Sequence, residues 1–201
     1  APLGVVYATD FALSTSVKQG QHWESILSSQ NLVTYESKDA VAVITINRPD
    51  KYNALTVELG EELREAWVRF NDSDDRVAIL TGAGDKAFSA GADLNNPPEV
   101  WRFAPGMGVN VEKPIIAAVD GWCVGGGMVL VMLCDICVAT DKARFSYPEA
   151  KVGLSGGLIA SIVARIPHKI AMELILLGEA LSAQRAYEVG FVNKVVAQEA
   201  L

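Results

Sequence analysis

Three short segments carry the residue types from which chemistry at an oxygen and its neighbouring carbon can be built. Ala90-Gly91-Ala92, inside Phe88-Ser89-Ala90-Gly91-Ala92-Asp93-Leu94, and Val124-Gly125-Gly126-Gly127 are both poor in side chain, so each can present a bare backbone N–H. Phe145-Ser146-Tyr147-Pro148-Glu149 ends in a carboxylate. Two N–H donors on one oxygen stabilise negative charge as it develops, and a carboxylate can take a proton from carbon beside a carbonyl. Enolate formation is therefore the chemistry to test, with Ala92 and Gly126 as donors and Glu149 as base. Either glycine-rich segment alone is explained by tight turns and close packing. Both together, with a carboxylate downstream, favour the chemical reading.

These residues need elements to hold them. The apolar run after Gly127 predicts a helix to about Cys134, which puts Gly125-Gly126-Gly127 at its N-terminus. There the first N–H groups lack intrahelical partners and the helix dipole is positive. Ala90-Gly91-Ala92 follows a predicted buried strand, Val77–Thr81, and a turn containing Gly82 and Gly84. Further strands are predicted over Leu32–Ser37, Val41–Ile46, Ile115–Val119 and Ile136–Thr140. A helix is predicted from Thr56, its N-cap, because Leu59, Leu63, Ala66, Trp67 and Phe70 recur at helical spacing. The C-terminal third reads as helix over Leu158–Ile166, Ala171–Leu177 and Ser182–Val189. Strands alternating with helices predict an α/β fold of ββα units. Residues 1–30 have no clean periodicity and read as an N-terminal extension to a domain over 31–201.

Bulk composition narrows the partners. The 201 residues are half hydrophobic and one fifth charged, as expected of a chain with a full core. A net charge of −7 without a Lys/Arg cluster argues against nucleic acid. The run Met128 to Cys134 is seven residues, far below a membrane span, and the mildly apolar start lacks a positive flank. Three cysteines make no even disulfide set, so a reducing, cytoplasmic location is expected.

The chain resembles the crotonase superfamily, the enoyl-CoA hydratase/isomerase group. The resemblance runs over about residues 32–197. It is carried by Ile46-Asn47-Arg48-Pro49 with Asn53-Ala54-Leu55, by Leu80-Thr81-Gly82 through Asp93, and by Lys113 through Gly121. It continues in Gly125-Gly126-Gly127, Cys134-Asp135, Phe145 to Gly153 and Leu181-Ser182-Ala183-Gln184. It implies a crotonase-like spiral of ββα units with a C-terminal helical region, and a homotrimer or hexamer. Coenzyme A is implied as part of an acyl-CoA substrate, with no tightly bound cofactor. Asn53, Ala54, Leu55, Ala90, Ala92, Asp93, Leu94, Gly125 and Gly126 are the positions implied along the coenzyme, mostly through backbone groups. Relatives often carry a lysine where this chain has Asn95; Lys51 or Lys86 are the candidates to replace it. Asp93 and Asp135 read as structural carboxylates.

One departure discriminates among activities. Hydratases of the family resemble one another in using two glutamates, one two residues after the glycine triplet and one twenty residues later. Here the second is Glu149 and the first is Val129. One carboxylate suits a reaction in which the same group takes a proton and returns it elsewhere, such as a double-bond shift. A hydratase or lyase would need a second acid, with Tyr147, Asp120 and Glu99 nearest in sequence. A non-catalytic binding or assembly module is the alternative from another class. Apolar residues between Asn95 and Glu112, including Pro97, Pro98, Trp101, Phe103, Pro105 and Met107, are candidates for an acyl pocket. That stretch is shorter than in most relatives, and helices that pack the family's trimers are not represented before Leu201.

Two other motifs carry little. Gly153-Leu154-Ser155-Gly156-Gly157 matches a nucleophile elbow, but only His168 follows, thirteen residues on, with no acid between, where an acid and then a distant histidine should follow. Cys134-Asp135-Ile136-Cys137 falls where a helix ends and a strand begins, the wrong place for a reactive thiol pair. Two distant histidines argue against a catalytic metal.

Overall fold

The computed structural model describes residues 31–154 and 157–201. The extension expected over residues 1–30, and Ser155 of the elbow-like motif, lie outside the described residues.

Val33–Lys38 (β1) and Val41–Ile46 (β2) form an antiparallel hairpin with Lys38 opposite Val41. The turn residues Asp39 and Ala40 both have positive φ, 53° and 61°, as a two-residue hairpin turn requires. That turn moves β1 one residue beyond its predicted span. Val57–Asp72 (α1) follows, capped by Thr56, whose hydroxyl accepts the Leu59 N–H. Its buried stripe is Leu59, Leu63, Ala66, Trp67 and Phe70, as the periodicity predicts.

Val77–Gly82 (β3), Ile115–Val119 (β5), Ile136–Thr140 (β7) and Lys194–Val196 (β10) add to β2 in parallel. They make a six-stranded sheet in the order β1-β2-β3-β5-β7-β10. Between its strands the chain steps out to a second, four-stranded sheet. This consists of Ala87–Ser89 (β4), Trp122–Val124 (β6), Arg144–Ser146 (β8) and Leu181–Ser182 (β9), in the order β4-β6-β8-β9. Each cycle places one strand in each sheet, and this repeated stepping winds the chain into a spiral. The small sheet and β10 were not visible in the sequence pattern.

Gly126–Leu133 (α2) leaves β6 and is buried along nearly its whole length. His168–Leu177 (α3) and Ala183–Glu188 (α4) precede β10, with Ser182 capping α4 through the Arg185 N–H. The helix predicted over Leu158–Ile166 is instead a 3₁₀ helix, Gly157–Ala164. Its β-branched Ile159, Ile162 and Val163, with Pro167 beyond, are poor material for a regular α-helix. No helix among the described residues is long and apolar enough to cross a membrane.

Candidate active site

The first donor is set by a two-residue piece of parallel ladder. Leu55 N–H donates to Gly91 O and Leu55 O accepts from Asp93 N–H, both at 2.8 Å. In that pattern Leu55 uses the residues before and after Ala92, so the Ala92 N–H faces away from it. Among the described residues the Ala92 N–H has no acceptor.

The second donor comes from the start of α2. The cap residue Gly125 has φ 53° and ψ −116°, with no side-chain cap, and the Gly126 N–H also lacks an acceptor among the described residues. The two segments touch. A Cβ placed on Gly126 would stand 3.9 Å from the Ala92 nitrogen, and one placed on Gly91 would stand 3.4 Å from the Gly126 nitrogen. Absence of side chain on both residues is what lets these peptide groups approach.

The carboxylate arrives from the small sheet. Val124 pairs with Ser146, and the Gly125 N–H donates to Ser146 O at 3.0 Å. That register sets the 3₁₀ turn Pro148–Val152, which carries Glu149, against the start of α2. Glu149 Oε1 lies 2.5 Å from where a Gly125 Cβ would stand, so the acid occupies space that only glycine leaves. Glu149 Oε2 is buried and has no hydrogen-bond partner. Desolvation raises its pKa above the ordinary glutamate value. The three residues predicted from sequence are therefore brought together, one from each of three separate segments.

The nine positions implied along the coenzyme divide. Leu55 is fully buried with Cδ1 directed at Gly126, 3.1 Å from that Cβ position. Asn53 is also fully buried, but its side chain works inward: Nδ2 donates to Ala83 O and Ala87 O, and Oδ1 accepts the Arg48 N–H. Ala54 O accepts from the Arg48 guanidinium at 3.0 Å. The Ala90 N–H is committed to Tyr52 O. Asp93 pairs with Arg48 at 2.8 Å, and that hydrogen bond lowers its pKa. Leu94 is 86% exposed. A cleft of about 260 Å³ opens beside this region, lined by Tyr52, Asn53, Gly84 and Lys86 among others, and not over Glu149.

The candidates for a second acid fare unequally. Asp120 accepts Thr140 Oγ1 and Gln198 Nε2 at the end of β5, so both its oxygens are occupied. Glu99 is exposed and paired with Arg102. Tyr147 is buried, and desolvation, reinforced by the Glu149 charge, pushes its phenol up to about 12. Val129 is 2% exposed inside α2.

Two residues near the donors went unassigned in the sequence. Val100 places Cγ2 3.1 Å from the Gly126 Cβ position. Of the apolar residues singled out around it, Phe103 turns into the core against Gly60, while Trp101 and Met107 are exposed. Ser89 lies within a quoted motif, but nothing in its type distinguished it. Asp135 does what a structural carboxylate should, accepting the Ile115 N–H. Cys137 is buried and its thiol is pushed up to about 12 by desolvation, and Cys134 is raised further, so neither behaves as a ready thiolate. Among the described residues no cluster of metal-ligating side chains is found.

The enoyl-CoA hydratase/isomerase family profile matches residues 36–100 and 107–201. The chain belongs to the enoyl-CoA hydratase/isomerase family. Among its relatives is the (E)-benzylidenesuccinyl-CoA hydratase of Thauera aromatica, 39% identical over 184 residues, covering 84% of this chain and 71% of that protein. The carnitinyl-CoA dehydratase of Escherichia coli K12 is 39% identical over 176 residues, covering 81% and 67%. A crystal structure of a carnitinyl-CoA hydratase from Mycobacterium avium superposes with a TM-score of 0.77 at 35% identity, covering 84% of this chain and 70% of that one. Relatives of this kind make the chain an enzyme of the enoyl-CoA hydratase/isomerase type, in a family that acts on CoA thioesters, and the spiral fold is theirs.

Proposed function

We propose that this family member works through a thioester enolate, held by the Ala92 and Gly126 N–H groups, with Glu149 as its single acid–base group. The observation that carries this reading is Glu149 itself. A carboxylate with one oxygen buried and unpartnered is costly to maintain, and it stands beside two free N–H donors. With the thioester oxygen between the donors, Glu149 takes a proton from the α carbon and the C=O becomes an enolate oxyanion. The protonated Glu149 then returns that proton. Returned at the γ carbon of a β,γ-unsaturated acyl-CoA, it completes a double-bond shift, with no other group needed.

A second reading is reversible dehydration of a 3-hydroxyacyl-CoA, favoured by the relatives named hydratase and dehydratase. Glu149 would pass the α proton to the departing hydroxyl, releasing water and leaving the α,β double bond. Val129 offers no hold on that water, and Tyr147 is the nearest remaining protic group.

The test is a panel of unsaturated, hydroxy and aromatic acyl-CoAs, with α-proton exchange into deuterated water followed by NMR. Wild type is expected to exchange and turn over at least one of them, and Glu149→Gln to bind it without doing either. Absence of exchange and turnover across the panel would falsify the enolate reading.

A further inference from the structure

We propose that Ser89 is a positioning residue that fixes the distance between the two N–H donors. The inference rests on the enolate reading. Ser89 is fully buried at the end of β4 and touches both donor segments. Its hydroxyl donates to Asn53 O at 2.8 Å and accepts the Gly91 N–H at 3.2 Å. Gly91 is the residue before Ala92, so this bond holds the Ala90–Gly91 peptide, one unit before the Gly91–Ala92 peptide that presents the first donor. On its other side Ser89 packs on Gly127, the residue after the second donor. A Cβ on Gly127 would stand 2.8 Å from Ser89 Cβ and 3.1 Å from its hydroxyl oxygen.

One small side chain thus bonds to the first donor segment and spaces the second. It is anchored behind by Asn53, whose own side chain is held by Arg48 N–H, Ala83 O and Ala87 O. Alanine at 89 would keep the spacing but free both the Asn53 carbonyl and the Gly91 N–H. The donor loop would then be held by the Ala90 N–H on Tyr52 O, by its ladder to Leu55 and by the Arg48–Asp93 pair. Ser89 does not reach the reacting atoms, and its effect is on where the Ala92 N–H points. Donor geometry matters steeply for charge that develops in the transition state and weakly for a neutral thioester, so the effect should fall on turnover.

The experiment reads carbonyl polarisation directly. A conjugated aromatic enoyl-CoA absorbs at longer wavelength when its thioester carbonyl is polarised by two donors. Wild type is expected to shift the bound probe to the red. Ser89→Ala is expected to lose more than about half of that shift and about 10- to 100-fold in kcat, as misplacement of a polarising group does, while probe Kd and substrate KM stay within about threefold. Ser89→Cys, which keeps the side-chain shape with a slightly larger sulfur and weakens both bonds, should fall between. It carries the same test if Ser89→Ala does not fold. Gly127→Ala should shrink the shift from the other side. A full red shift in the serine variants, or a kcat loss no larger than the accompanying loss in probe affinity, overturns the positioning role alone. A wild-type enzyme that binds the probe with no shift overturns the enolate reading and this inference with it.

Discussion

Asp93 and Glu149 are two carboxylates on two turns of one spiral, and their surroundings are opposite. Asp93 accepts from the Arg48 guanidinium and from the Asn95 N–H, and its pKa is lowered. Glu149 has one oxygen against Gly125 and the other buried with no partner, and its pKa is raised. The first stabilises a loop by being satisfied. In the proposed mechanism the second is kept ready to react by being left unsatisfied, and the surrounding fold bears that cost. The difference teaches that position in a motif does not assign a carboxylate its role; the number of donors it meets does.

The largest expected effect separates the two. Glu149→Gln should lower turnover by about 10²- to 10⁴-fold, the range for losing a general acid–base group, while thioester affinity persists. Stopped assays with calorimetric binding would show this, and substantial residual turnover would move the chemistry to another group. Gly125→Ala comes next. Its methyl would enter the space of Glu149 Oε1 at a residue with φ 53°, so turnover should fall about 100-fold through misplacement alone, with Glu149 still present.

Val129→Glu tests the missing second carboxylate. Hydration of a short enoyl-CoA should rise by about tenfold, below the full worth of an acid–base group because the new side chain enters a packed helix and lowers Tm. A well-folded variant with no gain would count against Val129 as the position that limits hydration.

Asp93→Asn is the gentlest change. It should lower Tm and leave turnover within about threefold, the pattern of a lost loop pairing rather than a lost acid. The pH dependence of the two sites should also run in opposite directions. Burial favours the neutral form of Glu149, so its contribution to stability is fully present below its unfolded pKa and is lost as pH rises through the raised folded value. Asp93 contributes above its unfolded pKa, and this is lost as pH falls through its lowered folded value. Tm measured against pH for the two variants should therefore diverge from wild type in opposite senses. Turnover should rise on the acid side with a midpoint above the ordinary glutamate value of about 4.3.

Much of this was readable from residues in a row. The spans of β2, β5 and β7 follow from apolar runs bounded by turn signals, and Thr56 was recognisable as a cap because its hydroxyl bonds locally, to Leu59. The small sheet was not readable. β4, β6 and β8 are three residues each, too short for any periodicity, and they exist because each pairs with a strand far away in the chain. Val100 and Ser89 were missed for the same reason, since what matters about them is a neighbour across the fold rather than their own type.

The order of segments, the apolar Val129 on the helix after the glycines and the bareness of the two glycine-rich stretches were written in the sequence, because residue type and local spacing are its own properties. That Ala92 and Gly126 meet, that Asn53 turns inward and Asp93 pairs with Arg48, and that Glu149 Oε2 lacks a partner were decided only by the tertiary structure. Those are statements about which groups share a small volume and how much water is left there, and the pairing of distant strands sets both.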